Sequence, residues 1–534
     1  VTRIVTIIVD PGGLEKLIAA GIVSFVDTTP PPSYPNNNNI GQQLSDVNVV
    51  HKAPFNLDGT GVTVGVWDGG PILTTHADLS PRINVAANQV AGVSGHATHV
   101  AGTIASSGAN RLEAQGMAPN AKIESYDSGN DNQEILTASR STGVPARVQL
   151  SNHSYSTCIG WESRCANPRR WIWFPDDRFG AYDITSVVID SIVSNTGIIS
   201  AYSAGNWQNR GPGGNQDRTK PNGCTAHRYD NFAHAPGVFA DCIAPKNGAK
   251  NVITVGAMSD ANRIAPFSSY GPMDDGRIKP DIVAAGNPLL STWADGNYGS
   301  ISGTSMSTPL VTGIGTLIVQ DSMTNMNSFS SPAFPFRRIW TPMTPEGMKA
   351  LLIQTADDVH GFQQATVGPD YATGWGIANA EKAITLLRKG GLTQGKISAT
   401  GQDNAWSRTF NVTGTEPEIH MTLAWSDPSG NTAAVKALVN DLDLRLIDPS
   451  GNNYTPWILP GGMADPTRSA VRNGGNDDIN NVEQVSVLNP GAGRWTVRVT
   501  ASDLDPTTVP QIFALAGLLP DDPDTILSPI RLLP

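Results

Sequence analysis

The sequence predicts an α/β domain with a mainly parallel sheet, followed by an all-β domain of sandwich or jelly-roll type. Three observations give that expectation. Between residues 40 and 389, short apolar runs alternate with helix-length stretches, the pattern of strands joined by crossover helices. After Gly390 and Gly391 the period shortens. The segments SRTFNV, IHMTLAW, DLDLRLI, QVSVL, RWTVRVT and QIFALAG follow, set apart by Gly, Pro, Asn and Asp. Finally, 534 residues exceed what one hydrophobic core holds, so two domains and a small appendage are the natural division.

Taken in order, residues 1–39 read as strand, helix and strand (TRIVTIIV, LEKLIAA, IVSFV) and then an accessible Pro/Asn-rich linker, TTPPPSYPNNNN. Val62–Trp67 is an apolar run with the character of a buried parallel strand. It ends in Asp68-Gly69-Gly70, a carboxylate at a strand's C-terminal end before glycines that allow a sharp exit. Gly95-His96-Ala97-Thr98-His99-Val100-Ala101-Gly102-Thr103 places a histidine at the start of a small-residue helix. Further strands are expected at Ala121–Tyr126, Ile198–Ser203 and Asn251–Ala257. Gly303-Thr304-Ser305-Met306-Ser307-Thr308-Pro309 then sets a serine before the apolar run Leu310–Val319, which reads as a helix that tolerates Pro309 near its first turn.

Asp68, His96 and Ser305 are chemically complementary. A serine at a helix start lies beside backbone N–H groups without intrahelical partners, and those donors suit a developing oxyanion. Its hydroxyl is a poor nucleophile until a base takes the proton. Histidine titrates near neutrality and can do so, while a carboxylate holds the imidazole in one tautomer.

On these residues the chain resembles the subtilisin family of serine peptidases. The family's nucleophile motif GTSMATP stands here as GTSMSTP, with Ser307 for alanine. Its histidine motif HGTHVAGT stands from His96 to Thr103, with Ala97 for glycine, and its strand-plus-DTG motif stands as VWDGG. Ser203-Ala204-Gly205-Asn206 resembles the AAGN segment. The resemblance implies a triad of Asp68, His96 and Ser305, Asn206 as side-chain donor to the oxyanion, and His99 as a structural residue of its helix. Hydrolysis of peptide bonds through an acyl-enzyme follows. Val148–Ser156 resembles the strand that pairs with an extended peptide, although Ser154-Tyr155-Ser156 replaces the usual SLG or SWG. Ser154, Tyr155 and Ser156, with Ser203, Ala204 and Gly205, are thus expected to bind substrate main chain. The alternative there is an interior strand with a polar tail. Segments Pro266–Pro272, Lys279–Ile282 and Gly374–Gly376 extend the resemblance over most of the first 390 residues.

The stretch Cys158–Phe179, carrying Trp161, Trp171, Trp173 and Phe174, is expected either to wall the cleft or to pack as an insertion. Family members are made with an inhibitory propiece, so 1–39 reads as its remnant or as a permanent extension. The chain starts at Val1 without a signal peptide, as expected of a trimmed, exported product. Four cysteines allow three pairings; Cys158–Cys165 with Cys224–Cys242 is the local one, and disulfides fit a secreted protein.

Net charge is −11 with no basic cluster, which gives no nucleic-acid footprint, and no run of eighteen apolar residues predicts a membrane span. Protein or peptide substrates in extended form, the chain's own propeptide and a monomeric state are expected. Beyond residue 390 the wording LAWSD (Leu423–Asp427), LVNDLDL (Leu438–Leu444) and NNVE (Asn480–Glu483) resembles alkaline subtilases with a C-terminal β-barrel. Oxygen ligands gather there at Asn440, Asp441, Asp443, Asp477, Asp478 and Glu483, and structural calcium is the expected occupant; no cofactor is expected for the chemistry. The domain boundaries are placed at 40–389 and 392–518, with 519–534 a tail.

Overall fold

The structure, a computed structural model, describes residues 38–518 apart from 141–147, 163–171, 175–177, 209–240, 261–262, 326–342, 360–366, 402–403 and 463. The expected leading segment up to residue 37 and the tail 519–534 lie outside the described residues.

In the first part the strands are β1 (Thr63–Asp68), β2 (Ile83–Val85), β3 (Lys122–Asp127), β4 (Leu150–His153), the hairpin β5 (Gly160–Glu162) and β6 (Ile172–Phe174), β7 (Ile199–Ser203), β8 (Ile253–Asp260), β9 (Arg263–Ile264) and β10 (Ile282–Ala285), with a second hairpin, β11 (Leu289–Thr292) and β12 (Tyr298–Ile301). The helices are α1 (Asn38–Leu44), α2 (Val47–Val50), α3 (Gly95–Ala105), α4 (Asp131–Arg140), α5 (Ile184–Thr196), α6 (Thr304–Asn325), α7 (Pro345–Gln354) and α8 (Ala380–Arg388). The central sheet runs β10-β8-β7-β4-β1-β3-β2, with β9 antiparallel against β8 and every other pairing parallel. Chain order reverses at the seam between β1 and β4: β3 and β2 lie to one side of β1, and all later strands lie to the other. In an open parallel sheet such a switch point opens a crevice beyond the strands' C-terminal ends.

The apolar reading of β1 explains its position, since all six of its residues are buried. Val64 and Val66 join Val100, Leu310, Ile314, Leu317, Leu351 and Ile384 in the core under α3, α6, α7 and α8. Trp67 faces the other way, into the core of α4 and α5, and stacks on Tyr126 at 4.2 Å. Helix α6 is buried along its first five turns, as expected of a helix with little charge on any face. It approaches Met117 so closely that a Cβ at Gly313 would fall 2.4 Å from Met117 Cβ.

The alternating segments after residue 390 form β13 (Leu392–Ile397), β14 (Trp406–Val412), β15 (Glu418–Trp425), β16 (Asp441–Ile447), β17 (Asn453–Tyr454), β18 (Val482–Leu488), β19 (Gly493–Asp503) and β20 (Gln511–Ala516). They make two four-stranded sheets, β13-β20-β15-β18 and β14-β19-β16-β17, whose pairings are all antiparallel. Phe410, Leu442, Leu444, Trp495 and Val497 of one sheet pack against Met421, Leu423, Trp425, Val485 and Phe513 of the other. This is the alternation in–out of a two-layer sandwich.

The sandwich shares its other face with the α/β part: Ala424, Val482, Ala514 and Ala516 belong to the same apolar cluster as Leu351 and Met348. Polar pairs reinforce this seam. Lys250 and Asp427 form a fully buried ion pair. Gln354 Nε2 donates to His420 O at 3.0 Å and Ile278 N to Asn480 Oδ1 at 2.8 Å.

A second buried charge group sits close by. Lys279 Nζ donates to Asp281 Oδ2 at 2.7 Å and to Val252 O at 3.0 Å, while Lys349 Nζ lies 3.2 Å from Asp281 Oδ1. Two ammonium groups share one carboxylate, and burial pushes Lys279 down to about 7 despite Asp281. The folded state therefore releases this proton near neutrality, whereas the unfolded chain holds it to the ordinary lysine value of 10.5. Across that window the unfolded state binds more protons, so this group makes stability rise with pH. Chemical denaturation between pH 7 and pH 10 is expected to show the rise in the parent and to lose it in Lys279→Met.

Candidate active site

Three chain segments end at the β1/β4 crevice. Asp68 closes β1, and its carboxylate is buried, with the Gly69 N–H donating to Oδ1 at 2.7 Å. His96 is the second residue of α3, whose start is fixed by Ser94: its Oγ accepts from Ala97 N at 3.1 Å. Gly95 is required there, because a Cβ would fall 2.8 Å from the Trp293 ring. The His96 Nδ1 lies 2.8 and 2.9 Å from the two Asp68 oxygens. The His96 side chain is 32% exposed and Asp68 only 3%, so the carboxylate grips the inner nitrogen and Nε2 is the one turned to the crevice. With a carboxylate at Nδ1, that nitrogen carries the proton of the neutral imidazole, which leaves Nε2 as base.

His99 is excluded from this chemistry. It is buried, donates through Nε2 to Leu289 O at 3.0 Å, and is pushed down to about 4 by that burial. It holds α3 to the β11/β12 hairpin.

Ser305 begins α6. Pro309 lies inside that helix and has no N–H to offer the carbonyl four residues earlier, which is that of Ser305. Ser154 Oγ donates to the Ser305 carbonyl at 3.0 Å in its place, and Ser305 Oγ donates to Ser154 O at 3.0 Å. Ser154 is itself braced by Asn152 Nδ2 at 2.9 Å, and Asn152 Oδ1 accepts from Thr312 Oγ1 at 3.0 Å. The nucleophile candidate and the end of β4 are therefore tied by a reciprocal pair.

Asn206 follows β7 and points into the same turn. Its Oδ1 accepts from Thr304 N at 2.9 Å and Thr304 Oγ1 at 3.0 Å. Its Nδ2 lies 3.2 Å from where a Cβ at Gly303 would sit, so glycine keeps that donor uncovered. Thr304 Oγ1 also accepts from Gly205 N at 3.1 Å, and Gly205 takes a φ of 111° against the Trp207 ring. Of the first α6 amides, Thr304 N is held by Asn206 and Met306 N by Gly303 O at 2.9 Å. Among the described residues the Ser305 N–H has no such partner. An uncommitted helix N–H and a carboxamide NH₂ thus flank Ser305, the arrangement that receives a carbonyl oxygen gaining charge.

β4 is interior, paired with β1 on one side and β7 on the other, and stops at His153. Ser154, Tyr155 and Ser156 continue past the sheet edge and face Ser203, Ala204 and Gly205 across the crevice. Asn247 spans the two: Nδ2 donates to Tyr155 O at 3.0 Å and Ser203 O at 2.7 Å, and Oδ1 accepts from Ser156 Oγ at 3.0 Å. Tyr155 is anchored by its hydroxyl, which donates to Asp131 Oδ2 at 2.5 Å, where Lys246 Nζ also donates at 2.6 Å. Sequence reasoning missed Thr304, Asn247 and Asn152. Only Thr304, a hydroxyl beside the nucleophile, carried a visible signal.

The side chains of Trp161, Trp171, Trp173 and Phe174 lie outside the described residues, as do Cys165 and Cys224. Cys158 and Cys242 are not free thiols. The acidic set of the C-terminal sheets is not a ready cage. Among the described residues no group of three or more His, Cys, Asp or Glu side chains is gathered to hold a metal. Asn440 spends its carboxamide on Gln511 Oε1 at 2.8 Å and Asp505 N at 2.8 Å. Asp441 faces Lys436 at 3.5 Å, Asp443 faces Arg445 at 3.1 Å, and Asp477 accepts from Asn480. The Asp478 main-chain oxygen accepts from Lys436 Nζ at 3.0 Å. Glu483 Oε2 accepts from Leu444 N at 2.6 Å, whereas Oε1 is buried without a hydrogen-bond partner.

Residues 59–376, more than half of the chain, match the model of the Subtilase family (Peptidase S8). The chain belongs to that family. Among curated relatives, "Serine protease/ABC transporter B family protein tagB" of Dictyostelium discoideum is 26% identical, the match covering 51% of this chain and 17% of that protein. "Serine protease AprX" of Bacillus subtilis (strain 168) is 30% identical over 50% of this chain and 58% of its own length. The chain thus spans less than two thirds of either relative. A solved cold adapted subtilisin-like serine proteinase is 22% identical at a TM-score of 0.37, over 61% of this chain and 89% of that one.

Thr304 satisfies two buried groups at once. Thr304→Val leaves the buried Gly205 N–H without its acceptor, while Asn206 Oδ1 keeps Thr304 N, and is expected to lower stability by about 1–3 kcal/mol, with Thr304→Ser restoring it, as read from thermal melts.

Proposed function

We propose that this chain is a secreted serine endopeptidase, with Ser305 as nucleophile, His96 as general base and acid, and Asp68 holding the imidazole. The observation that carries this reading is the buried Asp68 carboxylate on His96 Nδ1, at the same strand ends where Ser305 lies in the first turn of α6 beside Asn206. In the proposed reaction the Ser305 hydroxyl leaves the Ser154 carbonyl for His96 Nε2. Its proton passes to that nitrogen while Oγ bonds to the substrate carbonyl carbon, and the carbonyl oxygen becomes an oxyanion held by the Ser305 N–H and Asn206 Nδ2. The C–N bond then breaks, and the imidazolium gives its proton to the leaving amine. Water repeats the sequence on the acyl-enzyme. Asp68 stays ionised throughout and stabilises the imidazolium.

Extended protein or peptide chains are the proposed substrates, pairing through main-chain hydrogen bonds with Ser154–Ser156 and Ser203–Gly205. The chain's own leading segment is a further proposed partner. A monomer without nucleic-acid or membrane partners is proposed alongside; among the described residues no helix is long and apolar enough to cross a membrane. Bonded Cys158 and Cys242 support an oxidising compartment, and the pairs proposed are Cys158–Cys165 and Cys224–Cys242. The C-terminal sheets are read as a jelly roll, a reading supported by their strand order, in which each sheet interleaves early and late strands. Structural calcium is proposed there at Asn440, Asp441, Asp443, Asp478 and Glu483. The orphaned Glu483 oxygen supports it, and bound calcium would neutralise this crowded acidic patch and do no chemistry.

Initial rates on an unstructured peptide test the proposal. Ser305→Ala and His96→Ala are expected to fall to background. Asn206→Leu is expected to lower kcat by about 100- to 1,000-fold with little change in KM, a magnitude taken from subtilisin itself. An active Ser305→Ala would sink the assignment. For the calcium corner, adding calcium to chelator-treated protein is expected to raise Tm by a few degrees, and Glu483→Gln to abolish the rise. An unchanged Tm in the parent removes calcium from the proposal.

A further inference from the structure

One short segment touches both the crevice and the C-terminal sandwich. At its start, Asn247 bridges Tyr155 O and Ser203 O and accepts from Ser156 Oγ, so it fixes the spacing of the two strand ends that flank Ser305. Three residues on, Lys250 Nζ is buried against Asp427, Pro428 O at 2.6 Å and Ala437 O at 2.7 Å, all from the sandwich. Asn251 adds a reciprocal pair with the Asp427 backbone, at 2.8 and 2.9 Å, and accepts from Asn481 Nδ2 at 3.2 Å.

The segment has no slack. Asp190 accepts from Asn251 N at 2.8 Å and from Lys250 N, Arg277 donates to Gly248 O at 2.8 Å, and Thr254 Oγ1 donates to Asn247 O at 2.6 Å. Asp427 is equally committed, because its two carboxylate oxygens also accept from Val439 N and Asn440 N. The Asn247, Lys250 and Asn251 side chains are thus all engaged, and the main chain between them is held by Asp190, Arg277 and Thr254. A displacement at Asp427 must either break such a bond or be passed along the segment to Asn247.

We propose that residues 247–251 act as a strut through which the C-terminal sandwich sets the width of the substrate crevice, with Asn247, Lys250, Asn251 and Asp427 as positioning residues. The inference rests on the peptidase reading for its consequence, though not for its mechanics. The sandwich is then part of the specificity apparatus, because the gap between Tyr155–Ser156 and Ser203–Gly205 is where a substrate side chain next to the scissile bond must fit. A crevice tied shut by a carboxamide favours small side chains at that position.

The test compares four full-length proteins: the parent, Asn247→Ala, the double variant Lys250→Met/Asp427→Leu, and Gln354→Ala. The double variant replaces the ion pair with apolar side chains, so no buried charge is orphaned, and Gln354→Ala loosens the same seam away from the strut. Hydrogen exchange in peptides covering 154–156 and 203–206 is read first, since it needs no catalysis. Asn247→Ala and the double variant are expected to raise it about fivefold or more, in the range of ordinary long-range coupling, with Gln354→Ala unchanged. On a peptide panel the same two variants are expected to gain aromatic over alanine preference before the cleaved bond by a similar factor. Unchanged exchange in both, or an equal rise in Gln354→Ala, overturns the strut. A parent that shows the exchange pattern but cleaves nothing would instead overturn the peptidase reading and leave the strut standing.

Discussion

The parallel register of β1, β4 and β7 is the constraint on which everything at the crevice depends. Asp68, Ser154 and Asn206 come from segments far apart in sequence, and each is delivered by the same device, a buried strand that ends at one edge of the sheet. The chain order reverses between β1 and β4, and the crossover α4 from β3 to β4 packs on Trp67 of β1. At the strand ends themselves α3 and α6 arrive by their N-terminal ends. Histidine and serine thus enter from positive helix ends while the carboxylate enters from a strand, which suits the proposed gathering of negative charge on a substrate oxygen.

That geometry is held by compensation rather than by apolar packing alone. Pro309 would leave the Ser305 carbonyl without a donor, and Ser154 supplies one. Gly303 and Gly205 each remove a side chain that would cover or strike a neighbour, Asn206 Nδ2 in one case and Trp207 in the other. Thr304 keeps the Asn206 carboxamide facing the right way by engaging its oxygen and leaving its nitrogen. At each of these positions one substitution costs a polar group its partner or fills a space a neighbour needs, so the crevice is stiff and intolerant in the same places.

The α/β part was legible because its signals are local. Val62–Trp67 carries no charge and becomes a strand buried on both faces; the serine and histidine motifs carry small residues where helices pack closely. The alternation after residue 390 likewise reads through to antiparallel strands. What escaped was the set of long-range polar ties. Asn247 has no motif around it, and its meaning arises only when two distant strand ends are placed about one carboxamide apart. In the acidic patch the polar ties are equally long-range. Asn440 looks like an oxygen ligand in sequence, but folding commits it to Gln511 and Asp505, and local composition cannot show which side chains are already taken. The expected substrate strand reads as one run to Ser156, yet sheet pairing ends at His153, which lies between Trp67 and Tyr202.

The proposed chemistry requires an activated Ser305. Intact mass after exposure to a serine-phosphonylating reagent measures that directly, because an ordinary serine hydroxyl does not react. One adduct on the parent, and none on Ser305→Ala or His96→Ala, is the predicted result. A parent that stays unmodified, or an adduct that survives Ser305→Ala, would contradict the account.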